Sequence, residues 1–240
     1  MAFETERMGR TYQQAGVQTA AIDQGLRAYM LKVYNYMGSG LALTGIVALL
    51  VASSETLMQA IFGTPLQWVV MLAPLGLVLL LGFRLQKMSL SAVQATFWVF
   101  AALMGASLAS IFVVYTGVSI ARTFFICAAT FGAMSLYGYT TKRDLTGMGS
   151  FLMMGLFGLI IAGLVNIFLQ STMMQLVISA VGVLVFVGLT AYDTQKVKEM
   201  YFEADDDVVY GKKAIMAALT LYMDFINLFL MLLRFFGDRR

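Results

Sequence analysis

Seven long apolar runs constrain the fold of this chain more than any other feature. A helix that crosses the hydrocarbon of a bilayer needs about 20 mostly apolar residues. The boundaries between runs carry charge or turn residues, such as Ser53-Ser54-Glu55 and the acidic stretch from Glu203 to Asp207. The sequence therefore predicts an all-α membrane protein, a bundle of seven transmembrane helices. The predicted spans are 28–52, 65–83, 92–115, 119–139, 148–170, 174–195 and 213–236.

The composition excludes several classes of protein. Hydrophobic residues make up 60% of the chain and charged residues 12%, whereas a soluble domain is about half apolar and a quarter charged. Histidine is absent and Cys127 is the only cysteine, which removes the commonest general base and metal ligand and any disulfide within the chain. Basic residues are spread between the apolar runs, a pattern unlike a nucleic-acid interface. We expect a protein that is not an enzyme, has no resident cofactor and has the lipid bilayer as its surroundings.

The distribution of Lys and Arg predicts the orientation in the membrane. Twelve of the sixteen basic residues lie in the N-terminal segment and in alternate loops on one side, and the positive-inside rule assigns that side to the cytoplasm. Residues 1–26 then form a cytoplasmic tail, and 27–240 form the transmembrane domain. Seven spans would leave Arg239 and Arg240 outside, against the rule. A final helix that re-enters would remove this conflict, so the side of the C-terminus stays open.

Two carboxylates are predicted to lie within the membrane. Of thirteen acidic residues, only Asp193, near the cytoplasmic end of the sixth span, and Asp224, near the middle of the seventh, are not in tails, loops or water-facing helix ends. Ionisable residues within spans are costly and are usually functional. The structural alternative is a hydrogen-bond network between helices, or, for Asp193, a side chain that reaches the interface. Arg84 ends the second span on the same side, so a pair with Asp193 is sterically reasonable.

The seventh span carries a polar stripe. At about 100° per residue, Thr220, Asp224, Asn227 and Arg234 fall with Lys213 within an arc of roughly 80°. Such a stripe should face protein or water rather than lipid. We therefore expect a central seventh helix whose Thr220, Asn227 and Arg234 face a pore. For Thr220 and Asn227, simple packing between helices remains an alternative.

Two segments of the last quarter resemble a known family. The run Gly-Leu-Thr-Ala-Tyr-Asp-Thr-Gln at 188–195 and the run Ala-Leu-Thr-Leu-Tyr-Met-Asp-Phe-Ile-Asn-Leu-Phe at 218–229 resemble the signature of the Bax inhibitor family, and the short tail and loops resemble bacterial members. The resemblance implies a central last helix and a pH-controlled calcium leak in the bacterial inner membrane. Asp193 and Asp224 would be its sensor, with Arg84 as a latch that competes for Asp193. Thr220 stands where some relatives carry a further aspartate.

Physical chemistry makes such a pair suitable as a switch. Two neighbouring carboxylates titrate as a unit and share a proton. Without that proton they are oxygen ligands suited to calcium, but two carboxylates fall short of the six to eight oxygens of a tight site. Asp193 and Asp224 would therefore contact calcium transiently, as a permeant ion. Pairing also requires that the sixth helix continues past Lys196 and that the seventh begins well outside the hydrocarbon, and we expect both.

Three other functions fit parts of the sequence. An intramembrane aspartyl protease would use Tyr192-Asp193, but the glycines that should precede the second aspartate are missing before Asp224. The proline-containing motif that follows in those enzymes is missing too, because Pro65 and Pro74 are the only prolines. A regulatory partner of a membrane-bound protease, or of a secretion complex, would act through residues 1–26. A proton-coupled cation exchanger would use the same two aspartates as a leak.

Overall fold

The computed structural model describes the backbone of residues 2–240 and the side chains from Asp23 onward. Within the described residues, seven helices are long and apolar enough to cross a membrane. The all-α, seven-helix prediction is confirmed. The helices are α1 (Ala2–Ala52), α2 (Glu55–Phe62), α3 (Leu66–Arg84), α4 (Leu90–Leu108), α5 (Ile111–Val114), α6 (Gly117–Thr140), α7 (Thr146–Leu169), α8 (Thr172–Glu199) and α9 (Asp207–Phe236), with a 3₁₀ turn at Leu85–Lys87.

The N-terminal part of α1 contains the residues that were predicted to form a tail. Among the described residues, the part of α1 that is long and apolar enough to cross a membrane lies within Asp23–Ala52. The helix itself begins at Ala2, and the cytoplasmic location predicted for residues 1–26 stays a prediction. Met1 and the side chains of 2–22 lie outside the described residues, so the role predicted for this tail stays a prediction.

Short polar residues set the starts of the helices. The first N–H groups of a helix have no partner within it, and a serine, threonine or aspartate side chain at the N-cap accepts one of them. Thr116 accepts from the backbone N–H of Ser119 and Ser171 accepts from that of Met174, which sets the starts of α6 and α8. The other side-chain caps are Ser54, Ser89 and Asp206.

The helices that carry the two intramembrane aspartates are longer than their apolar runs. The α8 helix continues past Lys196 to Glu199, and α9 begins at Asp207, six residues before the predicted boundary at 213. At 1.5 Å per residue those six residues add about 9 Å to α9. The ammonium group of Lys198 on the extended α8 has a hydrogen-bond partner, because its Nζ donates to the carbonyl of Tyr139 at 3.0 Å. Both extensions required for pairing are therefore present.

The last helix forms the centre of the bundle. It packs against α1, α4, α6 and α8, and 15 of its 30 residues are buried. By contrast, only Gly149 and Leu152 of α7 are buried, and α7 packs mainly against α8. The central position of the seventh span is confirmed, and α7 presents most of its surface to the surroundings of the bundle.

The C-terminal residues lie at the end of the bundle where α6 begins. The backbone N–H of Thr116 donates to the carbonyl of Asp238 at 3.2 Å, and the N–H of Arg240 donates to Val114 at 3.0 Å. Arg122 forms an ion pair with Asp238 at 3.0 Å. The final helix thus crosses the bundle once over the described residues, and the re-entrant alternative is not seen.

Candidate functional site: an aspartate pair at the centre of the bundle

Packing around α9 places Asp224 in the interior. Its neighbours along the chain, Phe225 and Ile226, are buried against other helices, and Asp224 itself is only 6% exposed. One of its carboxyl oxygens, Oδ2, is buried without a hydrogen-bond partner among the described residues. An isolated buried carboxylate is costly, so this residue is not explained by packing between helices.

Asp193 reaches the same point from α8. It is partly buried, and its carboxyl group lies near enough to that of Asp224 for the two groups to interact. Lys196, one turn further along α8, is the cation whose charge acts on Asp193. The ammonium of Lys196 lies 5.8 Å from the ring centroid of Tyr192. The two intramembrane aspartates therefore meet where α8 and α9 pack together.

Arg84 is not part of this cluster. It lies in the last turn of α3, is exposed and forms no ion pair with Asp193 or any other described carboxylate. The cause is the position of α3, which packs mainly against α2 and α4 rather than against α8 or α9. The predicted Arg84–Asp193 pair is thus not formed in this conformation.

The polar stripe of α9 is enclosed at Asp224 and open at its two ends. Thr220 and Arg234 are exposed, Asn227 is partly buried, and only Asp224 is fully inside. The hydroxyl of Thr220 donates to the carbonyl of Met216 at 3.2 Å. The four partners of α9 leave the face with Thr220 and Arg234 uncovered, so the expectation that these residues face a pore stays a prediction.

Arg234 forms no ion pair with a described carboxylate. It lies in the last turn of α9, where a cation interacts favourably with the carbonyl end of the helix dipole. Its long side chain can also extend toward water from that position.

A chain of hydroxyl groups beside the pair was not predicted. The hydroxyl of Tyr34 on α1 is hydrogen-bonded to Ser135 on α6, and Ser135 is bonded to Thr194 on α8 at 3.0 Å. Thr194 directly follows Asp193, so this chain connects three helices at the level of the aspartates. Thr194 could have been found from the sequence because it lies within the Tyr-Asp-Thr-Gln run, whereas no sequence feature indicated Tyr34 or Ser135.

A second buried network ties α9 to α1 and α4. The hydroxyl of Tyr222 lies 2.7 Å from that of Thr44, and Thr44 contacts the carbonyls of Ala101 at 2.8 Å and Gly40 at 2.9 Å. Tyr222 precedes Asp224 by two residues, so this network fixes the rotation of α9 close to the aspartate.

The described part of the chain contains no group of three or more His, Cys, Asp or Glu side chains that could hold a metal ion. The aspartate pair therefore supplies at most two carboxylates, and a tight calcium site requires six to eight oxygens. This donor set suits brief contact with a passing cation rather than storage.

Comparison with known proteins identifies a family and several bacterial relatives. The family described as "Inhibitor of apoptosis-promoting Bax1" matches residues 26–240. An uncharacterized protein of Rickettsia prowazekii is 56% identical over 218 residues, covering 91% of this chain and 92% of the relative. The inner membrane protein YbhL of Escherichia coli K12 is 50% identical over 219 residues, covering 90% and 94%. A Caulobacter vibrioides protein is 46% identical over 235 residues, covering 92% of each.

The family match spans all seven membrane-crossing helices and includes both aspartates. A relative of 50% identity is named an inner membrane protein, which fits a multi-pass protein of that membrane. This chain belongs to the Bax inhibitor-1 family.

Proposed function

We propose that this protein is a pH-sensitive calcium leak channel in which Asp193 and Asp224 form the sensor and gate. One observation carries the proposal: two carboxyl groups meet in the interior of a membrane bundle, and one oxygen of Asp224 has no partner among the described residues. Two negative charges at this separation repel each other. The pair is therefore expected to share a proton, and its loss would push α8 and α9 apart.

Calcium fits this site as a permeant ion. Carboxylate oxygens are preferred calcium ligands, and permeation requires binding weak enough for the ion to leave. Loss of the shared proton would at once weaken the contact between the helices and create the charge that attracts a cation. Arg84 as a latch belongs to this proposal only for another conformation, in which α3 would lie closer to α8.

Liposomes with a calcium indicator inside provide the test. The purified chain is reconstituted, and calcium entry is measured from pH 6 to 8 for the wild type, Asp193→Asn and Asp224→Asn. Each substitution removes one titrating group, so we expect the pH profile to become flat in both. Unchanged profiles in both variants would contradict the sensor assignment.

Asp144→Asn is the matched control. The backbone N–H of Thr146 donates to Asp144 at 2.8 Å, and hydrogen bonds from the Thr146 side chain and backbone lower the pKa of Asp144 below its ordinary value. Asp144 therefore remains ionised from pH 6 to 8, and its replacement should leave the profile unchanged.

The same liposomes separate a leak from a proton-coupled exchanger. A pH indicator inside the vesicles reports proton movement while calcium enters under a clamped membrane potential. A leak gives calcium entry without a matching change of internal pH. Proton efflux in a fixed ratio to calcium entry would instead indicate exchange through the same aspartates.

A further inference from the structure

A groove opens on the side of the bundle, between α1 and α6. Its volume is about 660 Å³, within the range of about 300–1,000 Å³ that is typical of pockets for small ligands. The groove exists because α1 and α6 both pack against α9 but make little direct contact with each other. The hydrogen bond between Tyr34 and Ser135 crosses its floor.

The groove faces the surroundings of the bundle rather than its interior. Leu31 and Leu136 stand at its edges and are 54% and 63% exposed. Gly38 and Gly132 line it from opposite sides, and a Cβ added at either would meet nothing within 4 Å. In a chain that spans a membrane, such apolar edges at a helix surface contact acyl chains.

One end of the groove is cationic. Arg27 lines that end, is exposed and has no carboxylate partner among the described residues. Tyr139 lines the same end, and its carbonyl accepts a hydrogen bond from Lys198 at 3.0 Å, which brings a second cation close. No Asp or Glu lines the groove.

The depth of the groove matches one leaflet. Arg27 directly precedes the first apolar run, which begins at residue 28, and a basic residue at such a helix position extends to the interface. Gly38 lies eleven residues further, about 16 Å deeper along the helix. Half of a hydrocarbon core of about 30 Å is about 15 Å. A headgroup at Arg27 thus allows one acyl chain to reach Gly38.

We propose that this groove binds one anionic phospholipid of the bilayer. Arg27 pairs with the headgroup phosphate, because arginine donates two parallel hydrogen bonds to such an anion. One acyl chain lies between Leu31 and Leu136 and passes Gly38 and Gly132. The negative headgroup is preferred because, of the described residues that line the groove, Arg27 is the one with a charged side chain and none is Asp or Glu.

Native mass spectrometry of the full chain in detergent tests this site. Phosphatidylglycerol and phosphatidylcholine with identical acyl chains are added in turn, and bound lipid is counted. The wild type should retain phosphatidylglycerol in preference. Arg27→Gln should weaken its binding about fivefold, the effect of one basic residue at an anionic headgroup. Gly132→Phe should abolish the preference, because the new ring fills the groove without a backbone clash.

Two matched variants serve as controls. Arg143→Gln removes an exposed charge from the loop before α7, at the same end of the bundle. Gly158→Phe adds a ring on the exposed face of α7, where an added Cβ also meets nothing within 4 Å. Both should bind phosphatidylglycerol as the wild type does. Melting temperatures in detergent identify any variant that fails to fold, and Gly132→Leu replaces Gly132→Phe in that case.

Three results would overturn the proposal. The first is equal retention of both lipids by the wild type. The second is an equal loss in Arg143→Gln and Arg27→Gln, since this would indicate a general attraction to the basic end of the bundle. The third is a preserved preference in a folded Gly132 variant. The assay contains no calcium, so its outcome is independent of the proposed ion leak.

Discussion

The carboxyl group of Asp193 on α8 lies beside that of Asp224 on α9, close enough for the two to interact, and Asp224 is only 6% exposed. Thirty-one positions separate them, and the contact depends on the register of two helices. Both helices extend beyond their apolar runs toward the loop that joins them. The pair is thus held by continuous helical backbone on both sides rather than by a flexible loop.

Direct pairing predicts that the two aspartate substitutions are not additive in their effect on calcium flux. If one shared proton controls the leak, Asp193→Asn alone already removes it, and Asp224→Asn in the same chain changes little more. Residues in contact generally show such coupling, whereas distant sites add. The double variant should therefore give the pH profile of either single variant in liposomes. A profile that equals the sum of two separate changes would show that the residues titrate independently.

The buried carboxyl group of Asp224 should lower the stability of the folded protein. Its Oδ2 is buried without a partner among the described residues, and an unsatisfied buried polar group costs about 1–3 kcal/mol. Asp224→Val removes that group at a similar size. We expect the variant to melt at a higher temperature in detergent than the wild type, while losing pH-dependent flux.

Asp238→Asn provides the comparison for this stability change. Asp238 pairs with Arg122 at the surface, where the two side chains are 70% and 54% exposed. Exposed ion pairs contribute only about 0–1 kcal/mol. This variant should melt at or slightly below the wild-type temperature. A large loss of stability in Asp224→Val would mean that the carboxyl group is satisfied in the membrane, for example by water.

Local features of the sequence predicted the spans and the pair, and they failed where packing between distant segments decides. The length of an apolar run and an isolated carboxylate within it are both visible over about 25 residues. The bond from Tyr34 to Ser135 joins positions 101 residues apart and has no such local signal. The same holds for Arg84, because its distance from Asp193 depends on which helices α3 packs against.

The hydroxyl network of Thr44 and Tyr222 should respond unequally to removal of its two members. Thr44 has one hydrogen, which goes to the carbonyl of Ala101 or Gly40, so the hydroxyl of Tyr222 donates to Thr44. Tyr222→Phe removes one donor and leaves no buried donor unpaired, which costs about 1 kcal/mol. Thr44→Val leaves the Tyr222 hydroxyl buried without an acceptor, which costs about 1–3 kcal/mol.

Thermal melting in detergent measures this difference, with Tyr137→Phe as control because Tyr137 is 46% exposed. We expect the control to have the highest melting temperature, Tyr222→Phe a lower one and Thr44→Val the lowest. Equal effects of the two network variants would show that water reaches the network and replaces the missing partner.

Two glycines of α6 should respond in opposite directions to alanine. A Cβ at Gly138 would lie 2.2 Å from the backbone oxygen of Ala191, so Gly138→Ala must push α6 away from α8, two residues before Asp193. Such overpacking costs about 1–3 kcal/mol. Gly132 has nothing within 4 Å of an added Cβ, and alanine there gains up to about 1 kcal/mol of helix propensity. Melting temperatures that change in the same direction would contradict this assignment of the close contact between helices.

Labelling along α9 should show whether its uncovered stripe faces water or lipid. Thr220 is exposed whereas Leu221, the next residue, is fully buried, so cysteines at these two positions differ in exposure but hardly in depth. Cys127 is buried, and its thiol lies 3.6 Å from the carbonyl of Phe225, so Cys127→Ala provides a background without a native thiol. A maleimide reacts with the thiolate, which forms in water and is disfavoured in an apolar medium.

Because Thr220, Asn227 and Arg234 form a polar face along the helix, we expect a membrane-impermeant maleimide to modify Thr220→Cys and to leave Leu221→Cys intact. Modification of Thr220→Cys only by a lipid-soluble reagent would place the stripe against acyl chains, and the conduction path would then have to follow another face of α9.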